Sequence, residues 1–219
     1  GTPVSPKKPF LALFALIAPL ALSVGMISVK DIFNGRILYR TDIEKLTHFP
    51  ILGEIIYEKV KSPIVTENAE RSVNVEQFRL IRTGLKHQVK PPGNIKRILI
   101  TSCIKGDGKS FVSSNLAVSL ARSGKKVALL ELDLHQPRLS EIFEVPKQNG
   151  ITDYLLGEAK EDEIIVPTTK QEKLFLLPSG HLIEDPSEVL VNGRLEILFK
   201  YLDSIFDVLI IDTAPLKVL

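Results

Sequence analysis

Cysteine is nearly absent. The single residue, Cys103, excludes a disulfide framework and a cysteine-based zinc site. Histidine does not fill that gap: His48, His87, His135 and His181 are scattered, with no metal-ligand spacing among them. Neither sign of charge dominates, and a formal net charge of +2 gives no electrostatic argument for nucleic acid as a partner. No Gly-x-Ser-x-Gly nucleophile turn and no internal repeat occurs. An initiator methionine is also missing. The chain opens on Gly1 and stops at Leu219, soon after a strand expected to lie mid-sheet, so it is expected to be a portion of a longer protein.

What is present is organised around Ile95 to Ser110, IKRILITSCIKGDGKS. A run of β-branched and apolar residues stops at a small glycine turn, Gly106-Asp107-Gly108-Lys109-Ser110, and the apolar periodicity of FVSSNLAVSLARSG then predicts a helix ending at Gly124. Strand, glycine turn, Lys-Ser and helix make the layout of a phosphate-binding loop. Gly106 and Gly108 let the backbone approach a phosphate closely. The N–H groups of Gly108, Lys109 and Ser110 would point at phosphate oxygens from a helix N-terminus. Lys109 would set a compact cation on the β- and γ-phosphates, and the Ser110 hydroxyl would ligate Mg²⁺. Cys103, Lys105, Asp107 and Phe111 complete the expected nucleotide-contacting set. The full pattern has glycine where Cys103 stands. A glycine turn with a merely solvated lysine is the bland alternative. The flanking strand and helix and the downstream acids decide against it.

The rest of the chain supports that reading. Pro3, Pro6 and Pro9 make the start extended, and Phe10 to Val29 then runs twenty residues without a charge, the length of a spanning helix. A core helix would show a polar face, and a signal peptide would carry an ATP-binding domain away from ATP, so a transmembrane helix is expected, with the nucleotide domain on the cytoplasmic side. Three regions follow: a proline-rich segment and transmembrane helix over 1–30, a juxtamembrane linker over 31–67 and a nucleotide-binding domain over 68–219. Asn68 to Val89 reads as a helix on which Glu76, Arg79 and Arg82 share one flank; on the residues alone this is a solvated charged face. Val127 to Leu132 is a buried strand that ends in Glu131, Asp133 and His135, and the two acids would face the ligand crevice at a parallel strand's C-terminal end. Gly150 to Gly157 is a short amphipathic turn, Leu174 to Leu177 a third strand and Ser187 to Ile205 a helix. Phe206 to Asp212 is a fourth strand, whose terminal Asp212 has the place of the Mg²⁺-side acid of phosphate-loop nucleotidases. Strands alternating with helices predict an α/β fold, a doubly wound, mostly parallel sheet of P-loop NTPase type preceded by one transmembrane helix.

Taken together, these segments resemble the polysaccharide co-polymerases fused to a bacterial tyrosine kinase in capsule and exopolysaccharide systems. DIEKLTHFPILGEI (Asp42 to Ile55) is similar to the family's juxtamembrane linker, and EQFRLIR (Glu76 to Arg82) to its Glu-x-x-Arg-x-x-Arg oligomerisation motif. TSCIKGDGKS looks like its Walker A loop, LIIDTAP like Walker B, with Ala214 for a usual proline, and GHLIEDPSEVL (Gly180 to Leu190) like the segment before Walker B. ELDLHQP looks like the second acidic motif, Asp-x-Asp-x-Arg, with Glu131 for the first aspartate and His135 for the arginine.

The resemblance implies an ATP- and Mg²⁺-dependent protein-tyrosine autokinase governing polysaccharide polymerisation and export. Lys109, Glu131, Asp133 and Asp212 would be its catalytic residues, and Ser110, Asp133 and Asp212 its metal shell. It implies a ring of identical subunits joined through Glu76, Arg79 and Arg82, partnership with the polymerase and export machinery, and a place at the bacterial inner membrane. No nucleic-acid partner is expected. The family phosphorylates a C-terminal tyrosine cluster, whereas Tyr39, Tyr57, Tyr154 and Tyr201 are dispersed here. Either the cluster lies beyond Leu219 or the protein is an ATPase without that tail. Two alternatives remain. One is a regulatory ATPase of the partition and division-site type, whose loop lysine would stand at Ile104. The other is a degenerate nucleotide sensor for polysaccharide chain length.

Overall fold

Among the described residues five strands form one sheet, and four of them, short and mostly apolar, hydrogen-bond in parallel. They are β1 (Arg97–Ile100), β2 (Val127–Leu132), β4 (Leu174–Leu177) and β5 (Val208–Thr213), with β3 (Val166–Pro167) antiparallel at one edge. The order across the sheet is β1-β5-β2-β4-β3. In this computed structural model residues 8–32, 39–58, 62–66, 72–88, 96–183 and 185–216 are described. Residues 1–7, 33–38, 59–61, 67–71, 89–95, 184 and 217–219 lie outside them, and with them most of the proline-rich start, parts of the linker and both expected ends of the Asn68 to Val89 helix.

The chain divides into two units, Gly1–Ile51 and Leu52–Leu219. The first holds α1 (Lys8–Ile32) and α2 (Arg40–Leu46). Within α1, Leu11–Lys30 has a mean hydropathy of 2.3 with none of it buried, and its 20 residues are long and apolar enough to cross a bilayer. Pro19 sits inside α1, and the Ser23 hydroxyl one turn on donates to the Pro19 carbonyl (2.8 Å).

In the second unit β2 is buried on both faces, as a central parallel strand must be. One face packs Val127 and Leu129 against α4 (Lys109–Arg122) and α3 (Val73–Gln88). The other packs Ala128 and Leu130 with Ile151, Tyr154 and Leu155 of α6 (Ile151–Leu156) and Leu198 and Leu202 of α8 (Arg194–Ile205). Phe78 and Ile81 turn the apolar side of α3 inward, and the Phe78 ring meets Phe111 with centroids 5.8 Å apart. The second half of the expected linker belongs to this unit. Ile64 is fully buried, and Thr66 donates through its N–H to Asn115 Oδ1 of α4 (3.0 Å), while the Asn115 amide donates to the Pro63 carbonyl (2.9 Å).

The single helix expected from Ser187 to Ile205 is two. α7 (Pro186–Leu190) ends, and α8 restarts after Gly193, which adopts φ +81°. Asn192 accounts for the break: its amide donates to the Leu155 carbonyl (2.8 Å), and its Oδ1 accepts from the Arg194 N–H (3.0 Å), the first N–H of the new helix. Strand register fixes the site. Asp212 stands directly between Ile100 of β1 and Glu131 of β2 in one row of the sheet.

Candidate functional site: a phosphate loop facing two acids

The loop from Ser102 to Gly108 leaves β1 at the sheet's C-terminal edge. Its shape is held internally: the Ser102 hydroxyl donates to the Ile104 carbonyl (2.7 Å), and Asp107 Oδ2 accepts from the Ile104 N–H (3.2 Å). Gly106 and Gly108 adopt φ +94° and +88°, a region open to glycine and strained for other residues. Gly108 is the N-cap of α4, so the loop delivers its last N–H groups at a helix N-terminus. Lys109 is buried, with 9% of its surface exposed.

The Ser110 hydroxyl donates to Asp212 Oδ2 at 2.8 Å, joining the first turn of α4 to the end of β5. Asp212 is buried, and its other oxygen, Oδ1, has no hydrogen-bond partner among the described residues. Burial pushes its carboxyl up to about 6; the Ser110 and Ser113 hydroxyls and the Lys109 charge oppose the rise, and the Asp133 charge adds to it. A hydroxyl and a buried carboxylate oxygen lacking a partner, beside a phosphate cradle, fit a Mg²⁺ ion that takes most of its shell from phosphate and water. No cluster of three or more His, Cys, Asp or Glu occurs among the described residues, so an all-protein cage is not what the site provides.

A cleft of about 300 Å³ opens over the loop. Lys105, Gly106, Gly108, Lys109, Ser110 and Phe111 line one side, and Asp133, Gln136, Arg138 and Ile142 the other. Of the two acids at the C-terminal end of β2, Glu131 within it and Asp133 just after it, only Asp133 lines the cleft; its Oδ1 accepts from the Gln136 N–H (3.1 Å). Glu131 is fully buried and turned to a different task. Its Oε1 accepts from the N–H groups of Leu139 and Ser140 at the start of α5 (Leu139–Ile142), and its Oε2 from the Ser140 hydroxyl (2.7 Å) and the Ser179 N–H (3.1 Å). Cys103 is exposed on the loop and is not among the residues lining this cleft.

On the opposite flank of the loop a second cavity, of about 510 Å³, is lined by Ile55–Glu58, Asn74, Gly106–Gly108, Phe111 and Val112. Asn74 is buried; its amide and the Ser72 hydroxyl both donate to Glu58 Oε2 (3.1 and 3.2 Å). Sequence reasoning missed this wall because Ile55–Glu58 carries no motif and reaches the loop only through tertiary packing. It also missed the part of Arg138, although Pro137 before it signals a loop at the C-terminal end of β2. The flank of α3 splits. Glu76 and Arg79 pair with each other at 3.1 Å, both largely exposed, whereas Arg82 turns inward and donates to the Ser119 carbonyl (2.7 Å) at the end of α4.

Residues 94–216 match the family model described as ParA: NUBPL iron-transfer P-loop NTPase. A protein of the Klebsiella pneumoniae cps region carrying the name tyrosine-protein kinase is 29% identical over 237 residues, covering 98% of this chain and 32% of that protein. The Staphylococcus aureus protein CapB, also named as a tyrosine-protein kinase, is 30% identical over 156 residues, covering 71% of this chain and 68% of CapB. Among solved structures, the chimerical protein CapA2B2 superposes with a TM-score of 0.75 at 30% identity, over 83% of this chain and 77% of that one. The chain thus spans about a third of the Klebsiella relative and about two thirds of CapB.

Proposed function

Because the chain belongs to the bacterial tyrosine-protein kinases of capsule and exopolysaccharide gene regions, within the ParA-type P-loop NTPases, we propose that it transfers the γ-phosphoryl group of ATP to tyrosine. The observation that carries this reading is the hydrogen bond from Ser110 to the buried Asp212 at the edge of a cleft that Lys109, Ser110 and Asp133 line.

In the reaction the bond between the γ-phosphorus and the β,γ-bridging oxygen breaks and a bond to the tyrosine oxygen forms. The phenolic proton goes to a base, and ADP leaves with the electron pair of the broken bond. Lys109 supplies fixed positive charge to the β- and γ-phosphates from a largely desolvated position. The N–H groups at the start of α4 hold phosphate oxygens. Mg²⁺, when bound, neutralises phosphate charge, and Ser110, Asp212 and Asp133 would hold it, directly or through water. Asp133 is the carboxylate available to the incoming phenol, since it lines the cleft while Glu131 is saturated by four donors. Glu131 thereby acts as a positioning residue for the wall that carries Asp133.

The wider protein follows from the same reading. α1 crosses the bacterial inner membrane and holds the kinase unit on its cytoplasmic side. Copies assemble into a ring through the exposed Glu76–Arg79 flank of α3, with Arg82 bracing the helix from behind, and the assembly regulates the polymerase and export machinery of a surface polysaccharide. Incubating the full-length natural protein with ATP and Mg²⁺, then probing for phosphotyrosine and for free phosphate, tests this. Phosphotyrosine is the expected product. Free phosphate alone would make the protein a regulatory ATPase, and neither product would make it a nucleotide sensor.

A further inference from the structure

The wall of the cleft opposite the phosphate loop carries one arginine, Arg138. It is the N-cap residue of α5 and is exposed, and its guanidinium has no hydrogen-bond or ion-pair partner among the described residues. Its backbone is anchored all the same. The next two residues, Leu139 and Ser140, give their N–H groups to the buried Glu131 carboxylate, which also holds the Ser140 hydroxyl. The Arg138 carbonyl accepts from the Ile142 N–H (3.0 Å), closing the turn. A fixed backbone carrying a free cation into a phosphate-sized cleft is the arrangement that electrostatic preorganisation requires. His135, where the related motif has arginine, is exposed and is not among the residues that line the cleft.

We propose that Arg138 is the cation that stabilises the charge developing on the transferred phosphoryl group, an assignment that rests on the kinase reading above. As the bond to the bridging oxygen breaks, negative charge spreads over the equatorial oxygens and the leaving oxygen of ADP. Lys109 approaches from the loop side and is committed to the β- and γ-phosphates. Arg138 approaches from the acceptor side, beside Asp133. Its planar fork can hold two oxygens at once, which a lysine cannot do. Lys105, the other cation lining the cleft, lies on the exposed loop itself, so its ammonium is not anchored as Arg138 is.

The test uses the full-length natural protein with Mg²⁺ and compares affinity for ADP with affinity for ADP plus aluminium fluoride, alongside tyrosine phosphorylation. Arg138→Ala should lose about 100-fold in phosphoryl transfer and a similar factor in affinity for the fluoride complex, with ADP affinity within about threefold. Arg138→Lys should recover part of the loss, and His135→Ala should change neither readout. Equal turnover and equal fluoride-complex affinity in Arg138→Ala overturns the assignment. So does transfer of the whole effect to Lys105→Ala. If the wild-type protein gains no affinity from aluminium fluoride over ADP alone, the kinase reading itself falls and Arg138 falls with it.

Discussion

Ser110 and Asp212, 102 residues apart in sequence, share a 2.8 Å hydrogen bond, and the second oxygen of the aspartate is buried with nothing to accept from among the described residues. The unliganded protein therefore holds a half-satisfied acid at its centre. Its folded-state value of about 6 exceeds the ordinary 3.8, so the folded form binds a proton more tightly than the unfolded one. The stabilisation is full below pH 3.8, declines as pH rises to about 6 and is gone above that. Asp212→Asn removes the charge, so the unliganded variant should be more stable than wild type at pH 7.5 by roughly 1–3 kcal/mol, with the gap closing towards pH 4. Urea melts across that range check the sign, and Mg²⁺-dependent nucleotide affinity should fall in the same variant.

Lys109→Met keeps the aliphatic stem and removes the charge. Loss of phosphate stabilisation from a desolvated site is worth several kcal/mol, so turnover should drop by about 10³-fold or more while the thermal melt stays near wild type. Titration calorimetry with ATP and a phosphate-release assay separate binding from chemistry. Turnover at the wild-type rate would remove the loop from the mechanism.

Glu131→Gln tests the tether beneath α5. Glu131 accepts from four donors, and an amide group would turn N–H against N–H at one end of that set. A cost of about 2–4 kcal/mol is expected, read by chemical denaturation. A variant as stable as wild type would mean the carboxylate is free to serve elsewhere in the cleft.

Arg79 and Arg82 should separate by assay. Arg82→Ala removes a charged hydrogen bond to the Ser119 carbonyl and should cost about 1–3 kcal/mol of stability. Arg79→Ala breaks only an exposed pair, worth a few tenths of a kcal/mol, yet should reduce assembly mass in light scattering. An unchanged particle mass would leave Glu76–Arg79 as a solvated face.

Gly180→Ala should be among the most damaging small substitutions outside the cleft. Gly180 adopts φ +88°, and a methyl group there would fall on Asp153 Oδ2 and, at 2.7 Å, on Thr152 Oγ1. Asp153 is occupied holding the Gly150 N–H (2.7 Å) and the His181 ring (2.6 Å), so it cannot retreat cheaply. Strain and lost hydrogen bonds together should cost about 3 kcal/mol or prevent folding, seen as loss of a cooperative melt.

The parts legible in the sequence were those written in local patterns. Apolar runs ending in Gly108-Lys109-Ser110 and in Asp212 gave strands and site together, because a parallel strand carries its ligand-facing residues at its own C-terminal end. Other features depended on contacts between distant segments. Glu131 and Asp133 look alike two residues apart where a strand ends, and only the position of α5 shows that one is consumed by backbone donors. Arg82 and Arg79 look alike on a helical wheel, and only the α4 carbonyl beside Arg82 tells them apart. The break at Gly193 is invisible to apolar spacing, since Leu195, Leu198 and Leu202 continue the period after it.

Placing Asp212 in one row with Ile100 and Glu131 has a consequence for how the chain avoids misfolding. A shift of β5 by a single residue would bring Ile211 or Thr213 level with the phosphate loop and move the acid away from Ser110. Such a shift would also turn Val208 and Ile210 to the face that Leu209 now fills, so packing opposes it. Nucleotide would add to that discrimination, because a shifted sheet lacks the acid that completes the ion's place and gains nothing by mass action. ATP at cellular concentration would then act as a proofreader of strand pairing, drawing the population towards the one alignment that can use it.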